Sequence, residues 1–221
     1  MRGKMIVIEG NDCSGKETQS RKLVESLIKE GHKAIYLAFP MYDTPTGKII
    51  SGPCQGKEET DSYFDEGFSN VAPEVACLYY AADRKYNIDK ILKYVEDGYY
   101  VIVDRYVSSN LAHQGGKIKD SGERFRMYQW IDKLEYWLLG LPKADITVFL
   151  HVPHTVSERL MANRTFLDTV ERDSEYIKNA ETAYIELSEL YHWITVECAP
   201  NEELRQIEDI AQEVYNIVTT S

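Results

Sequence analysis

The chain has 221 residues, 43% hydrophobic and 28% charged, which suits one globular α/β domain over 1–221 with a full core. A formal net charge of −11 argues against a nucleic-acid scaffold, whose affinity comes from neutralising phosphates with Lys and Arg. Four scattered cysteines, Cys13, Cys54, Cys77 and Cys198, lack any C-x-x-C spacing and are read as reduced thiols rather than disulfides or a zinc site. No apolar run approaches the ~18 residues of a membrane span. Met1-Arg2-Gly3-Lys4 leads straight into a four-residue apolar strand, too short for a signal peptide's hydrophobic region. The expectation is a cytoplasmic protein with no membrane or nucleic-acid partner.

Met5-Ile6-Val7-Ile8 is the first predicted strand, and Gly10-Asn-Asp-Cys-Ser-Gly-Lys-Glu-Thr-Gln19 follows it. Strand, glycine-rich turn and helix start form the layout of a P-loop, in which backbone N–H groups at a helix N-terminus face a phosphate chain. Gly10 and Gly15 let those groups turn inward, and Lys16 brings a positive charge to the β/γ-phosphates. Asn11, Cys13, Ser14 and Thr18 complete the candidate cradle. Glu17 stands where a hydroxyl residue is expected. It is either a Mg²⁺ ligand, since that hard cation takes carboxylate oxygen, or an outward-facing acid on the helix dipole.

An apolar stripe, Leu23, Val24, Leu27 and Ile28, continues the first helix to Gly31. Strand two is Ala34 to Phe39, ended by Pro40. A long helix is predicted from about Pro73 to Val95, then strand three over Tyr99 to Val103, running into Asp104-Arg105-Tyr106. A helix covers roughly Glu123 to Leu139, and strand four is Ile146 to Leu150. Two helices flank Arg164 to Asp173, the first over Thr155 to Asn163; strand five is Ile194 to Glu197, and a helix from Glu202 to Val218 closes the chain. Short, nearly all-apolar strands alternating with helices indicate a parallel sheet covered on both faces. Ligands of such folds sit at the carboxyl ends of the strands.

Three groups fall at that edge: Phe39-Pro40 after strand two, Asp104-Arg105 after strand three, and Tyr80 with Arg84 on one face of the long helix. A strand-end guanidinium can hold a phosphate bidentately, while an aromatic and an arginine one turn apart can stack on and hydrogen-bond a base. Taken singly, Asp-Arg after a strand is an ordinary surface turn and Tyr80 an ordinary core residue. Together, at three ligand-side positions of a P-loop fold, they point to a second phosphorylated ligand.

Here the chain resembles the thymidylate kinases, P-loop nucleoside monophosphate kinases that phosphorylate dTMP. The resemblance is carried by Glu9-Gly10-x-Asp12-x-x-Gly15-Lys16-x-Thr18-Gln19, Phe39-Pro40, Tyr80-x-x-Asp83-Arg84, Asp104-Arg105-Tyr106-x-x-Ser109-Asn110-x-Ala112-x-Gln114-Gly115 and Gly140-Leu141-Pro142-x-x-Asp145. It implies a five-stranded sheet in the order 2-3-1-4-5, a homodimer, and a transferase using ATP with Mg²⁺ to convert dTMP to dTDP. Candidate metal ligands are Asp12, Glu17 and Asp104. Asp12 would also approach the sugar 3′-hydroxyl and Arg105 the dTMP phosphate. Tyr80 would stack on thymine and Arg84 bond its O4, with Phe39, Ser109, Asn110 and Gln114 in the same pocket. His113 stands where an aromatic sits beside the sugar's 2′ carbon; it either helps reject ribonucleotides or is a partly buried histidine without that role. Arg164 would pack on adenine, and Cys198-Ala199-Pro200 would close over it.

The chain departs from the family at its catalytic arginines. Cys13 occupies the P-loop position, and Thr169 the position of the usual arginine in the lid segment near 164–174. Arg172 is the nearest substitute for a charge on the moving phosphoryl. Tyr42 replaces an arginine after Phe-Pro, and Lys48 is the candidate compensating cation. Other readings are a kinase for a different deoxynucleotide or deoxynucleoside, or a weakly catalytic nucleotide-binding module.

Overall fold

β1 (Lys4–Glu9) is the centre of the sheet, and its side chains alternate between two cores. Met5 and Val7 enter one, Ile6 and Ile8 the other. The computed structural model, which describes residues 2–57, 61–162 and 174–220, places β2 (Ala34–Ala38), β3 (Tyr100–Asp104), β4 (Ile146–His151) and β5 (Ile194–Glu197) beside it. The order is β2-β3-β1-β4-β5 with every neighbour parallel, as the resemblance implies. Ile6 sits in register with Ile102 on one side and Ile146 on the other.

α1 (Lys16–Lys29) and α8 (Ile207–Thr220) cover one face, burying Leu23, Leu27, Val214 and Val218 against Ile6, Ile8 and Val148. The opposite face carries α3 (Pro73–Glu96), α4 (Val107–Gly116), α5 (Ser121–Asp132) and α7 (Ser174–Leu190). Their Ile88, Ile91, Leu111, Ile131, Tyr184 and Leu187 pack on Val7, Val101 and Val103. Aliphatic burial on both sides is what fixes a parallel sheet at the centre of the molecule. The strands' carboxyl ends then share one edge, where Gly10, Phe39 and Arg105 emerge.

Several elements differ from the sequence-based expectation. α2 (Pro45–Ile49), continuing as a wider-wound turn over Ile50–Cys54, was not predicted. Nor was α4, whose Ser108, Ser109, Asn110, Gly115 and Gly116 are poor helix formers; burial of nine of its ten residues outweighs that propensity. The helix expected from Glu123 begins at Ser121, because Asp120 caps it by accepting from the Glu123 N–H at 2.8 Å. The predicted helix over Thr155 to Asn163 is α6 (His154–Met161). The closing helix starts at Ile207 rather than Glu202, since Asn201 and Glu202 hold positive φ and break the turn.

Candidate active site

Gly15, at φ 80°, takes the left-handed conformation that glycine adopts without strain, and no side chain caps α1 behind it. The helix N-terminus is therefore left for an anion. Asn11 pins the loop: its Nδ2 donates to Val152 O at 2.8 Å and Ser157 Oγ at 3.0 Å, tying it to the β4–α6 connection. Lys16 folds back over the loop, its Nζ donating to Asn11 O at 2.7 Å and Ser14 Oγ at 3.5 Å. Burial, and then the neighbouring Arg105 charge, lower the ammonium to about 8.

Glu17 does not enter this cradle. Its carboxylate pairs with Arg21 one turn on, at 2.8 Å, and 64% of its side chain is exposed. The outward alternative for this residue is the one the structure shows, because the i,i+4 guanidinium draws the acid away from the loop. Thr18 is exposed too. The left-handed Cys13 turns the chain at φ 61°.

Glu9, which the sequence offers only as the first residue of the Glu9-Gly10-x-Asp12 motif, is the buried acid at the centre of the site. Glu9, fully buried at the end of β1, accepts from Tyr106 N at 2.9 Å, Ser108 Oγ at 2.7 Å, Ser109 N at 3.0 Å, Ser109 Oγ at 2.7 Å and Tyr184 O–H at 3.0 Å. Five donors on one carboxylate fix the start of α4 against the P-loop strand. An acid closing an all-apolar strand is the sequence signal for it. Ser109, expected at the base, belongs to this hub while still lining the pocket.

Arg105 stands at the centre of the strand edge with φ 66°, a conformation uncommon outside glycine and found where function over-determines the backbone. Its Nη2 ion-pairs with Asp12, and its Nη1 reaches Ser109 Oγ at 3.3 Å and His113 Nε2 at 3.0 Å. Burial pushes the Asp12 carboxyl up, but Arg105 and then Lys16 outweigh it and hold the acid below its usual range. Burial raises Asp104 despite Lys16 and Arg105, and Tyr36 O–H donates to it at 3.3 Å.

Beyond Arg105 lies a pocket of about 190 Å³. Phe39, Tyr80, Arg84, Asn110, His113 and Gln114 all line it, so the structure brings these predicted residues together. Tyr80 O–H accepts from Gln55 Nε2 at 3.0 Å. Arg84, 3% exposed, gives its Nε and Nη2 to the buried Glu135, each at 2.5 Å. Asn110 Oδ1 and Gln114 Oε1 are buried without a hydrogen-bond partner among the described residues. Lys57, its Nζ 3.4 Å from the Tyr42 hydroxyl, is a pocket-lining cation beside Tyr42 in addition to the Lys48 that the sequence suggested. Tyr176 is a further lining residue the sequence did not reveal, stacked on His113 with ring centroids 5.7 Å apart. Arg164, Thr169 and Arg172, with the expected lid, lie outside the described residues.

A family model described as thymidylate kinase matches residues 8–210. A thymidylate kinase of Homo sapiens is 36% identical over 151 residues, covering 68% of this chain and 62% of the human protein. That of Schizosaccharomyces pombe is 29% identical over 99% of this chain and 92% of its own length. A probable thymidylate kinase of Pyrococcus horikoshii is 30% identical over 99% and 97%. Among solved structures, a thymidylate kinase from Candida albicans superposes with a TM-score of 0.74 over 99% of this chain and 92% of its own, at 24% identity, a likeness of fold.

Proposed function

The chain belongs to the thymidylate kinase family, and from that premise we propose how its own residues phosphorylate dTMP to dTDP. The observation that carries the reading is the pocket's polarity. The pocket is lined by the Arg105 guanidinium, by a second donor, Arg84, and by Asn110 and Gln114, whose buried carbonyl oxygens have no hydrogen-bond partner among the described residues; we take Arg105 as its phosphate side and Arg84, Asn110 and Gln114 as its base side. A monophosphate matches the first side. Thymine matches the second, with an acceptor at O4 and a donor at N3.

ATP would lie along the P-loop with its β/γ-phosphates on Lys16 and the α1 N-terminus. Asn11 O and Ser14 Oγ hold the Lys16 ammonium over the loop, where its charge would serve those phosphates. dTMP would place its phosphate on Arg105 and its ring on Tyr80 beside Phe39. Arg105 also holds Asp12, so one guanidinium registers the acceptor against the donor loop, which is the in-line positioning phosphoryl transfer requires. His113 would stand beside the sugar.

Asp12 in the P-loop and Asp104 at the end of β3 fit a hard divalent cation: both carboxylates act on the Lys16 ammonium, and Mg²⁺ needs only one or two such ligands besides phosphate. Glu17 does not fit, being turned to Arg21. Mg²⁺ held there would neutralise charge on the transferring phosphoryl. The segment 164–174 would close over the nucleotide and exclude water, Arg172 supplying charge at the phosphoryl and Arg164 packing on adenine opposite Cys198-Ala199-Pro200.

The whole chain would act as one such domain, and as a homodimer in the cytoplasm. Val75, Leu78, Tyr79 and Tyr86 on α3 expose apolar surface suited to a second copy. No helix among the described residues is long and apolar enough to cross a membrane. ADP release in the presence of ATP and Mg²⁺, measured over a panel of nucleosides and monophosphates, tests the reading. dTMP should be the best acceptor; turnover of deoxythymidine alone, or none with any acceptor, would overturn it.

A further inference from the structure

Glu135 is the enclosed acid behind the base pocket. It comes from the wider-wound turn Lys133–Leu138 that extends α5, a local winding often found at functional sites. None of its side chain is exposed, and it does not line the pocket. Its Oε2 accepts from Arg84 Nε at 2.5 Å, and its Oε1 from Arg84 Nη2 at 2.5 Å and Asn110 Nδ2 at 2.8 Å. Both groups assigned to the thymine edge are thus held by one carboxylate.

An ionised carboxylate only accepts. Asn110 therefore turns its Nδ2 to Glu135, where it also meets Cys77 Sγ at 2.9 Å and, at a longer 3.3 Å, Cys77 O; this leaves Oδ1, buried and unpartnered among the described residues, as this lining residue's acceptor. With Arg84 committed through Nε and Nη2, its Nη1 remains, reaching Tyr106 O at only 3.4 Å. The edge so presented reads donor, then acceptor. Thymine offers the complement, O4 and N3–H, whereas cytosine offers an amino group and a bare N3, reversed at both positions.

We propose that Glu135 is the positioning residue that selects thymine over cytosine, by fixing Arg84 as donor and Asn110 as acceptor without touching the nucleotide. The inference rests on the assignment of Arg84 and Asn110 to the base. Glu135→Gln replaces one acceptor oxygen with an amide donor. Arg84 keeps the remaining oxygen, the new N–H seeks Asn110 Oδ1, and the Asn110 amide turns its Nδ2 to the pocket, where it suits cytosine N3.

The experiment measures kcat/KM for dTMP and dCMP in wild type, Glu135→Gln and Glu135→Asp, with KM for ATP as an internal control. The dTMP-to-dCMP ratio should fall at least about tenfold in Glu135→Gln, mostly through the monophosphate KM. In Glu135→Asp the withdrawn carboxylate cannot span both partners, so the ratio should fall about threefold or more; this variant decides if Glu135→Gln does not fold. A wild type that takes dCMP as well as dTMP would refute the base-pocket assignment itself. A discriminating wild type whose ratio survives both substitutions overturns the role of Glu135 alone. Equal losses for both nucleotides, the mark of a merely structural acid, overturn it as well.

Discussion

Arg105 donates through Nη1 to His113 Nε2 at 3.0 Å, which makes the histidine an acceptor on that nitrogen. The hydrogen then belongs on Nδ1, 3.0 Å from the Tyr176 hydroxyl. Burial, and then the Arg105 charge, hold the imidazole down to about 3, so it is neutral in the folded protein. Unfolding returns it to its ordinary value near 6.5, where it takes up a proton. The stability it contributes is therefore complete above pH 6.5 and is lost as pH falls from 6.5 towards 3.

This sign gives a measurable slope. Thermal unfolding of wild type and His113→Phe, compared between pH 7 and 5, should show the steeper decline in wild type. The difference should be on the order of 1 kcal/mol per pH unit below 6.5, or about 2–4 °C in Tm. Parallel curves would show that His113 is protonated in the fold.

Lys16 should be indispensable. Its ammonium is already aimed over the loop by Asn11 O and Ser14 Oγ, and no other basic side chain occurs within Gly10–Gln19. Lys16→Ala should lower kcat by at least about 10²-fold, the scale of losing one electrostatic donor to the transition state. Near-normal turnover would contradict the P-loop assignment.

The sheet and the phosphate loop were legible because they rest on local pattern: four-to-six-residue apolar strands, Gly10 and Gly15 at fixed spacing, and Lys16 opening a helix. Arg105, Tyr80 and Arg84 were legible because strand ends and i,i+4 spacing place them on the ligand edge. Glu9, Glu135 and Tyr176 were harder to see, since their roles depend on partners 97 to 175, 25 to 51 and 63 residues away in sequence. No periodicity encodes such pairings. α4 was hidden for a related reason, its serine- and glycine-rich sequence being held helical by burial and by the Glu9 carboxylate at its first turn.

Glu17 gives a prediction of the opposite kind from Lys16. Its carboxylate is engaged by Arg21 on the solvent side of α1, and exposed pairs of this sort contribute little. Glu17→Ala should leave kcat and the Mg²⁺ concentration for half-maximal rate within about twofold of wild type. A markedly raised Mg²⁺ requirement would restore this residue to the metal site.

Arg105→Lys tests whether the strand-end guanidinium serves the acceptor or the loop. The native side chain spends Nη2 on Asp12 and Nη1 on Ser109 and His113, so it reaches two sides of the pocket at once. A lysine ammonium is a single point of charge that cannot reproduce this fork and also bind a phosphate bidentately. The acceptor should therefore suffer more than the donor. KM for dTMP should rise at least about tenfold, equivalent to about 1.4 kcal/mol, while KM for ATP stays within about threefold. Equal rises would mean that Arg105 acts mainly by holding Asp12 and the P-loop in place. In that case Asp12→Asn, which keeps the shape of the side chain but removes its charge, should reproduce the ATP defect.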